Sequence, residues 1–310
     1  MAEKNKKIRR FKVETNTTGE VKNGSKTKVK PLKERITPSE RRVLWLSRII
    51  IWIMIIVVLY PALWIVMSSF SAGDSFFLSS LFPKKLSLEH YIYLFTETKY
   101  VSWVGNSMKL CIAVSVIQLT VTTLAAYAFA RLRFTGRKYG LMTLLVLQVF
   151  PSSMAVAGYY VLIYKFDLVN SYPALIFVLA CGSAYNIWLL KSYIDGIPVS
   201  LDEAALIDGA SRFQCFYKII LPLAMPEIAV LFLFSFIWTY SEYIITSIFI
   251  QTPGSYTLAL GLQSFIADQF GAHWTTFSAA AVISSVPIMV VFMFMQKYIQ
   301  GGLVVGGVKE

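Results

Sequence analysis

The sequence predicts an all-α membrane protein with six transmembrane helices, and three observations predict it. Of its 310 residues 56% are hydrophobic, with a mean hydropathy of +0.60. The apolar residues gather into charge-poor runs close to the ~20 residues that cross a hydrocarbon core. Cations cluster between alternate runs, the pattern of loops retained in the cytoplasm. The net charge of +12 therefore reads as a topology signal rather than a nucleic-acid one. Most of it lies in residues 1–42, with 14 Lys/Arg against 5 Asp/Glu.

Residues 1–42 are basic and aromatic-poor, too polar to bury a core, and read as a cytoplasmic tail. The first span is expected over 43–67, with Pro61 as a kink. It is too long, and too far behind the basic tail, for a cleavable signal peptide. A mixed segment to Gly105, balanced in charge, is expected outside. The second span, 107–130, runs into Arg131, Arg133, Arg137 and Lys138, four cations that mark an inner loop. The third is expected over 139–158, with a short outer loop at Lys165 and Asp167. The fourth covers 172–190 and the fifth 228–250, separated by a polar loop at 195–226. Residues 251–276 hold no Lys or Arg and only Asp268, so they belong outside. The sixth span, 277–298, carries Pro287 and leads into a cytoplasmic tail, 299–310, with glycine pairs at Gly301–Gly302 and Gly306–Gly307. An even count leaves both termini inside.

The loop stretch LDEAALIDGASRFQCFYKIILP, 201–222, is the most specific feature. Pro198 stops the span before it. Ser200 with Glu203 three residues on forms a capping-box pattern for a short helix that Gly209, tolerant of positive φ, would end. Ser211 with Gln214 repeats the signal for a second helix, which Pro222 and Pro226 should close. Ala204, Ala205 and Leu206 form a small apolar knob suited to a partner's groove.

These residues resemble a known pattern. Glu203-Ala204-Ala205, then Gly209 after three residues, then Ile219, Leu221 and Pro222 after nine more match the EAA motif of ABC-importer permeases at all seven positions. Further stretches resemble the MalG-type permease subunits of bacterial maltose and maltodextrin importers. They include Phe82-Pro83-Lys84, Leu88-Glu89-His90-Tyr91, Asn106-Ser107, the run from Gln148, the run 255–288 and the C-terminal tail. The resemblance implies a type I ABC-importer permease fold in the bacterial cell membrane. It also implies the partners: a homologous second permease, two cytoplasmic ATPase subunits, an extracytoplasmic sugar-binding protein and an oligosaccharide substrate. In that family the EAA loop is the coupling helix that seats in the ATPase, and ATP with Mg is held on those partner chains. The tail glycines Gly301, Gly302, Gly306 and Gly307 are placed by the resemblance near the ATPase pair.

Chemistry within this chain is sparse. No G-x-x-x-x-G-K-[ST] or H-E-x-x-H pattern occurs, so neither ATP binding nor a metalloprotease site is expected, and no cofactor or metal. His90 and His273, the only histidines, fall in expected outer loops. Cys111, Cys181 and Cys215 lack metal-ligand spacing and are expected to be packed and unreactive. Glu242 stands out as an ionisable residue inside a span, at a cost of about 2.5–3.5 kcal/mol on insertion scales. It is either a structural carboxylate satisfied by neighbouring hydroxyls or a residue lining the transport route. A sugar route needs hydrogen-bonding groups and flat aromatic faces, and Gln148, Tyr159, Tyr160, Tyr185, Asn186, Trp188, Trp238 and Tyr240 are candidates for it. Helix packing and interfacial aromatic belts would use the same residue types. Three readings stay open: a maltodextrin permease, a permease for another oligosaccharide (galacto-oligosaccharide, raffinose-type or cyclodextrin), and an ion-coupled secondary transporter working through Glu242.

Overall fold

Hydrophobic length decides which helices can cross a membrane, and the computed structural model shows how the chain spends it. It describes residues 38–73, 82–83, 85–150, 152–181, 183–267 and 273–306, with backbone alone at 38–40, 152–153 and 300–306. Most of the basic tail, Lys84, Asp268 and Gly307 lie outside the described residues. Contacts divide the chain into two units, 1–55 and 56–310. In the first unit the described residues form the opening part of helix α1 (Pro38–Ser69). Its Trp45, Leu46, Ile49, Ile53 and Met54 are exposed on every face. A helix apolar all round needs lipid or protein on all sides, which is the signature of a membrane span.

The second unit is built around α3 (Tyr100–Arg131). One face of α3 carries Leu110, Cys111, Val114, Gln118, Thr122 and Ala126, which recur every three or four residues and are all buried. Three apolar clusters lie along it. Near its end, Leu119, Ala126, Tyr127 and Ala130 pack on α7 (Ala184–Asp195) and α10 (Leu221–Ser241). Near its start, Tyr100 and Trp103 meet α10, α12 (Leu258–Ser264) and α13 (Trp274–Gly306). Leu110 and Val114 pack on Ile163 of α5 (Ser152–Lys165), on α6 (Tyr172–Ala180) and on Phe249 of α11 (Ile244–Phe249). Among the described residues there is no strand, only an isolated bridge between Ser71 and Leu86.

Four described helical stretches are long and apolar enough to cross a membrane: 41–69, 100–131, 212–241 and 274–299. Helices α6 and α7, bent by 49°, make a fifth if taken as one span. The stretch expected as a third span, 139–158, falls on two helices, α4 (Arg137–Gln148, 12 residues) and α5 (14 residues). Each is shorter than the ~20 residues a straight crossing needs. The expected fifth span stops at Ser241, and α11 follows after Glu242 and Tyr243. At the far end α13 continues helically through Gly301, Gly302 and Gly306.

Two expectations about single residues are corrected. His90 is not in a loop: it is buried on α2 (Glu89–Thr96), with Nδ1 3.0 Å from Thr276 Oγ1 and Nε2 3.1 Å from the Ser71 carbonyl. Cys111 and Cys215 are buried as expected, but Cys181 is exposed, because it occupies the break between α6 and α7 where no neighbouring helix covers it.

Helices α3 and α12 approach closely at a glycine. A Cβ on Gly261 would lie 2.1 Å from the Trp103 ring, and that ring is fixed by a 3.2 Å bond from its Nε1 to the Pro253 carbonyl. Gly261→Ala should cost about 1–3 kcal/mol, the usual range for overpacking. Thermal unfolding of the detergent-solubilised protein will show this as a lowered Tm, and adding Trp103→Leu should recover most of the loss.

Candidate functional site

The elbow at 198–222 is built by local rules, though not all those expected. Helix α8 (Val199–Ile207) begins at Val199 with Pro198 as its cap residue, and no side chain caps it. The Ser200–Glu203 box does not form. It would require Ser200 outside the helix, whereas Pro198 (φ −56°) presets the first turn and draws Ser200 inside. The exit is as expected. Gly209 takes φ +85°, its N–H donates to Leu206 O at 3.1 Å, and Ala210 N–H donates to Ala205 O at 2.9 Å. These are the two bonds of a glycine-terminated Schellman ending.

The second capping box does form. Gln214 N–H donates to Ser211 Oγ (3.2 Å) and Ser211 N–H donates to Gln214 Oε1 (2.7 Å). The helix it starts, α9 (Arg212–Cys215), is not closed by the prolines. It passes through a π-turn, Phe216–Ile220, directly into α10, with Pro222 in the first turn and Pro226 inside. Leu221 N–H reaches back five residues to Phe216 O. That wider turn accommodates Pro222, which has no N–H to give and whose ring would crowd the carbonyl four residues back. From Arg212 onward the elbow and the span are one continuous helix.

A single guanidinium fastens this elbow. Arg131, the last residue of α3, donates from Nε to Asp202 Oδ2 of α8 at 2.6 Å. Its Nη2 donates to the carbonyls of Ile194 (3.0 Å), in the last turn of α7, and Ile197 (2.7 Å), just beyond it. Both ionic side chains are buried, at 7% and 11% exposure. One turn earlier, Tyr127 donates to the Arg212 carbonyl at 3.1 Å and its ring lies 4.9 Å from that of Phe216. Sequence reading missed Asp202, hidden beside the motif glutamate, and read Arg131 only as a topology charge. No local signal links the two, since they stand 71 residues apart in different loops. Of the motif positions, Glu203, Ala204, Gly209 and Pro222 are exposed, while Ala205, Ile219 and Leu221 are partly buried. The apolar knob is larger than Ala204, Ala205 and Leu206: Ile207 is 86% and Phe213 66% exposed.

Two concavities flank α10 on another part of the unit. One, of about 720 Å³, is lined by Gln118, Gln148, Tyr159, Tyr185, Asn186 and Trp238 among others. The second, of about 760 Å³, shares Phe234, Trp238 and Ile245 with it and adds Ser241 and Glu242. Gln148 Oε1 accepts from Tyr185 N–H at 2.9 Å, capping the open start of α7. Glu242 likewise caps α11, taking N–H bonds from Ile245 (2.7 Å) and Thr246 (2.8 Å) and the Thr246 hydroxyl (2.5 Å). The carboxylate thus has local partners and also borders a cavity. Trp188 stacks on Tyr185, and Tyr160 lies against Tyr164. Tyr240 is apart from these: it is buried, donates to the Ser284 carbonyl at 3.0 Å, and borders a separate groove beside α13.

Residues 39–304 match the family model described as binding-protein-dependent transport system inner membrane component. The chain belongs to that family. It is a permease, a membrane-spanning transport subunit and not an enzyme. This permease is 40% identical over 258 residues to the galactooligosaccharides transport system permease protein GanQ of Bacillus subtilis (strain 168), covering 82% of this chain and 91% of that protein. It is 37% identical over 255 residues to the maltodextrin transport system permease protein MdxG of the same organism, covering 82% and 92%. Its fold matches a chain from a bacterial ABC transporter involved in import of the acidic polysaccharide alginate, with TM-score 0.73, 22% identity and coverage of 84% and 98%.

Two outcomes follow from the elbow. Nothing lies within 4 Å of a Cβ at Gly209, so its constraint is conformational and not steric. Gly209→Val should cost about 1–2 kcal/mol, whereas Gly209→Asn, which tolerates that conformation, should cost less; comparing Tm and transport of the two variants checks it. Removing one partner of the buried ion pair, as in Arg131→Met, should cost about 3–5 kcal/mol. A double-mutant cycle with Asp202→Leu, read by thermal unfolding, should give a sum of single effects exceeding the double.

Proposed function

We propose that this permease moves neutral oligosaccharides of the maltodextrin type. It works beside a homologous second permease, two cytoplasmic ATPases that hold ATP and Mg, and an extracytoplasmic sugar-binding protein. The observation that carries the reading is the elbow: an exposed apolar knob, clasped by Arg131 to α3 and continuous with α10. Such a part has no use in a carrier that works alone. It suits a chain that takes mechanical work from a subunit docked on its inner face, and both termini then lie in the cytoplasm. ATP can drive the outward-opening state only by favouring the docked ATPase arrangement that accompanies it.

Charge supports neutral sugars. Among the described residues neither cavity beside α10 is lined by a Lys, Arg or His, and Glu242 is the one charged group bordering them. A uronate chain would meet a carboxylate and no counter-ion there, whereas uncharged rings would meet amides and aromatic faces. An ion-coupled carrier working through Glu242 is disfavoured because that carboxylate already serves as an acceptor for three local donors. We further propose that the segment from Gly301 onward reaches the ATPase pair.

The test is to purify the permease with its co-encoded partners in nanodiscs and ask which sugar, presented by the binding protein, raises ATP hydrolysis. Maltodextrins should raise it and alginate oligosaccharides should not. A response to galacto-oligosaccharides alone would move the substrate assignment, and sugar uptake without any ATPase would end the whole reading. In the same assay, truncation after Gln300 should weaken coupling, and full ATP-driven uptake by that variant would remove the tail from the mechanism.

A further inference from the structure

The larger set of amides around the 720 Å³ cavity includes one that the sequence did not single out. Gln118 sits on the buried face of α3, 7% exposed, and borders the cavity. Among the described residues its carboxamide makes no hydrogen bond, although it lies in the best-buried of the candidate spans. A carboxamide without a protein partner is costly in an apolar setting, so a hydrogen-bonding occupant of the cavity it borders would be favoured there. Two further carboxamides border the same space from other helices: Asn186 on α7, and Gln148 on α4, whose oxygen is taken by Tyr185 N–H while its NH₂ is left over. Tyr159, Tyr185 and Trp238 add flat aromatic faces, and no charged residue lines the space. Neutral amides both donate and accept, as sugar hydroxyls do, and aromatic planes take the C–H faces of a ring. The volume falls within the usual range for a ligand site, about 300–1,000 Å³.

We propose that this permease carries a sugar subsite of its own, in which Gln118 hydrogen-bonds the hydroxyls of a neutral sugar ring during transit. The subsite rests on the oligosaccharide-permease reading and names a specificity-determining residue within it. The chain also supplies a reporter. Cys181 is exposed and lines the same cavity, whereas Cys111 and Cys215 are buried.

The experiment uses the complete importer in nanodiscs with its binding protein and maltotriose as probe. In the wild type, maltotriose should slow maleimide alkylation of Cys181, and Gln118→Leu should need about three- to tenfold more maltotriose for the same protection. Loss of one such hydrogen bond should lower sugar moved per ATP by about three- to tenfold. Binding-protein-stimulated hydrolysis should stay within about twofold, and Gln118→Asn should restore part of the yield. A Gln118→Leu complex with wild-type yield per ATP would overturn the subsite. So would a Cys181 that reacts equally with and without sugar, or that resists the maleimide altogether, since the cavity would then be sealed. If Gln118→Leu fails to assemble, the Cys181 protection measured on the wild type and on Gln118→Asn decides the matter. If no neutral sugar stimulates hydrolysis in the wild type, the substrate reading itself falls, an outcome distinct from loss of the subsite alone.

Discussion

The guanidinium of Arg131 holds together three chain segments that nothing else joins so directly. It ends α3, donates to two carbonyls at and just beyond the end of α7 and pairs with Asp202 on the elbow. Arginine suits the place because its planar fork directs several donors at once and its charge survives burial. A lysine would supply the charge without the geometry. The pair's contribution to stability is modest on general grounds, since two desolvated ions recover little more than they lose. Its importance lies in register. Any movement of α8 is felt by α3, and α3 passes through all three apolar clusters of the unit.

The same economy of polar groups appears wherever a helix is interrupted. Gln148 caps α7 at the α6–α7 break, Glu242 caps α11 below the end of α10, and Ser107 Oγ receives the Leu258 N–H that opens α12. In a hydrocarbon environment an unpaired N–H costs several kcal/mol, so each break must carry its own acceptor. This also explains why the breaks border cavities. An interrupted helix leaves side chains without a neighbouring helix on one face, and those faces become the concave surfaces beside α10.

Much of this was legible beforehand, for reasons that differ by residue. Helix character was carried by apolar length, which the long stretches 41–69, 100–131, 212–241 and 274–299 display. Gly209 and the Ser211–Gln214 box were legible because they are local: backbone conformation and a three-residue reach decide them. The Ser200 box failed because Pro198 presets a turn from just outside the window that such a pattern inspects. Proline misled again at Pro222, where a π-turn absorbs what would normally end a helix. The Arg131–Asp202 pair, the burial of His90 and the placement of Tyr240 were illegible because each depends on partners tens of residues away. The amides of the cavity fall between these cases: Gln148 and Asn186 stood near a break, but Gln118 is embedded in an uninterrupted helix with nothing local to mark it.

The continuity of the helix from Arg212 to Ser241 has a geometric consequence. Thirty residues of helix make an arm about 45 Å long, pivoting where the π-turn and Pro226 permit bending. From a pivot at Pro226 the arm to Ser241 is about 22 Å long, so each degree of rotation sweeps the distal tip through roughly 0.4 Å. A rotation of about ten degrees imposed at Phe213 would therefore displace Trp238 and Glu242 by roughly 3–4 Å, enough to widen or pinch a passage the width of one ring. A lever of this kind passes displacement from elbow to cavity nearly one for one, provided the shaft stays straight on either side of its pivot.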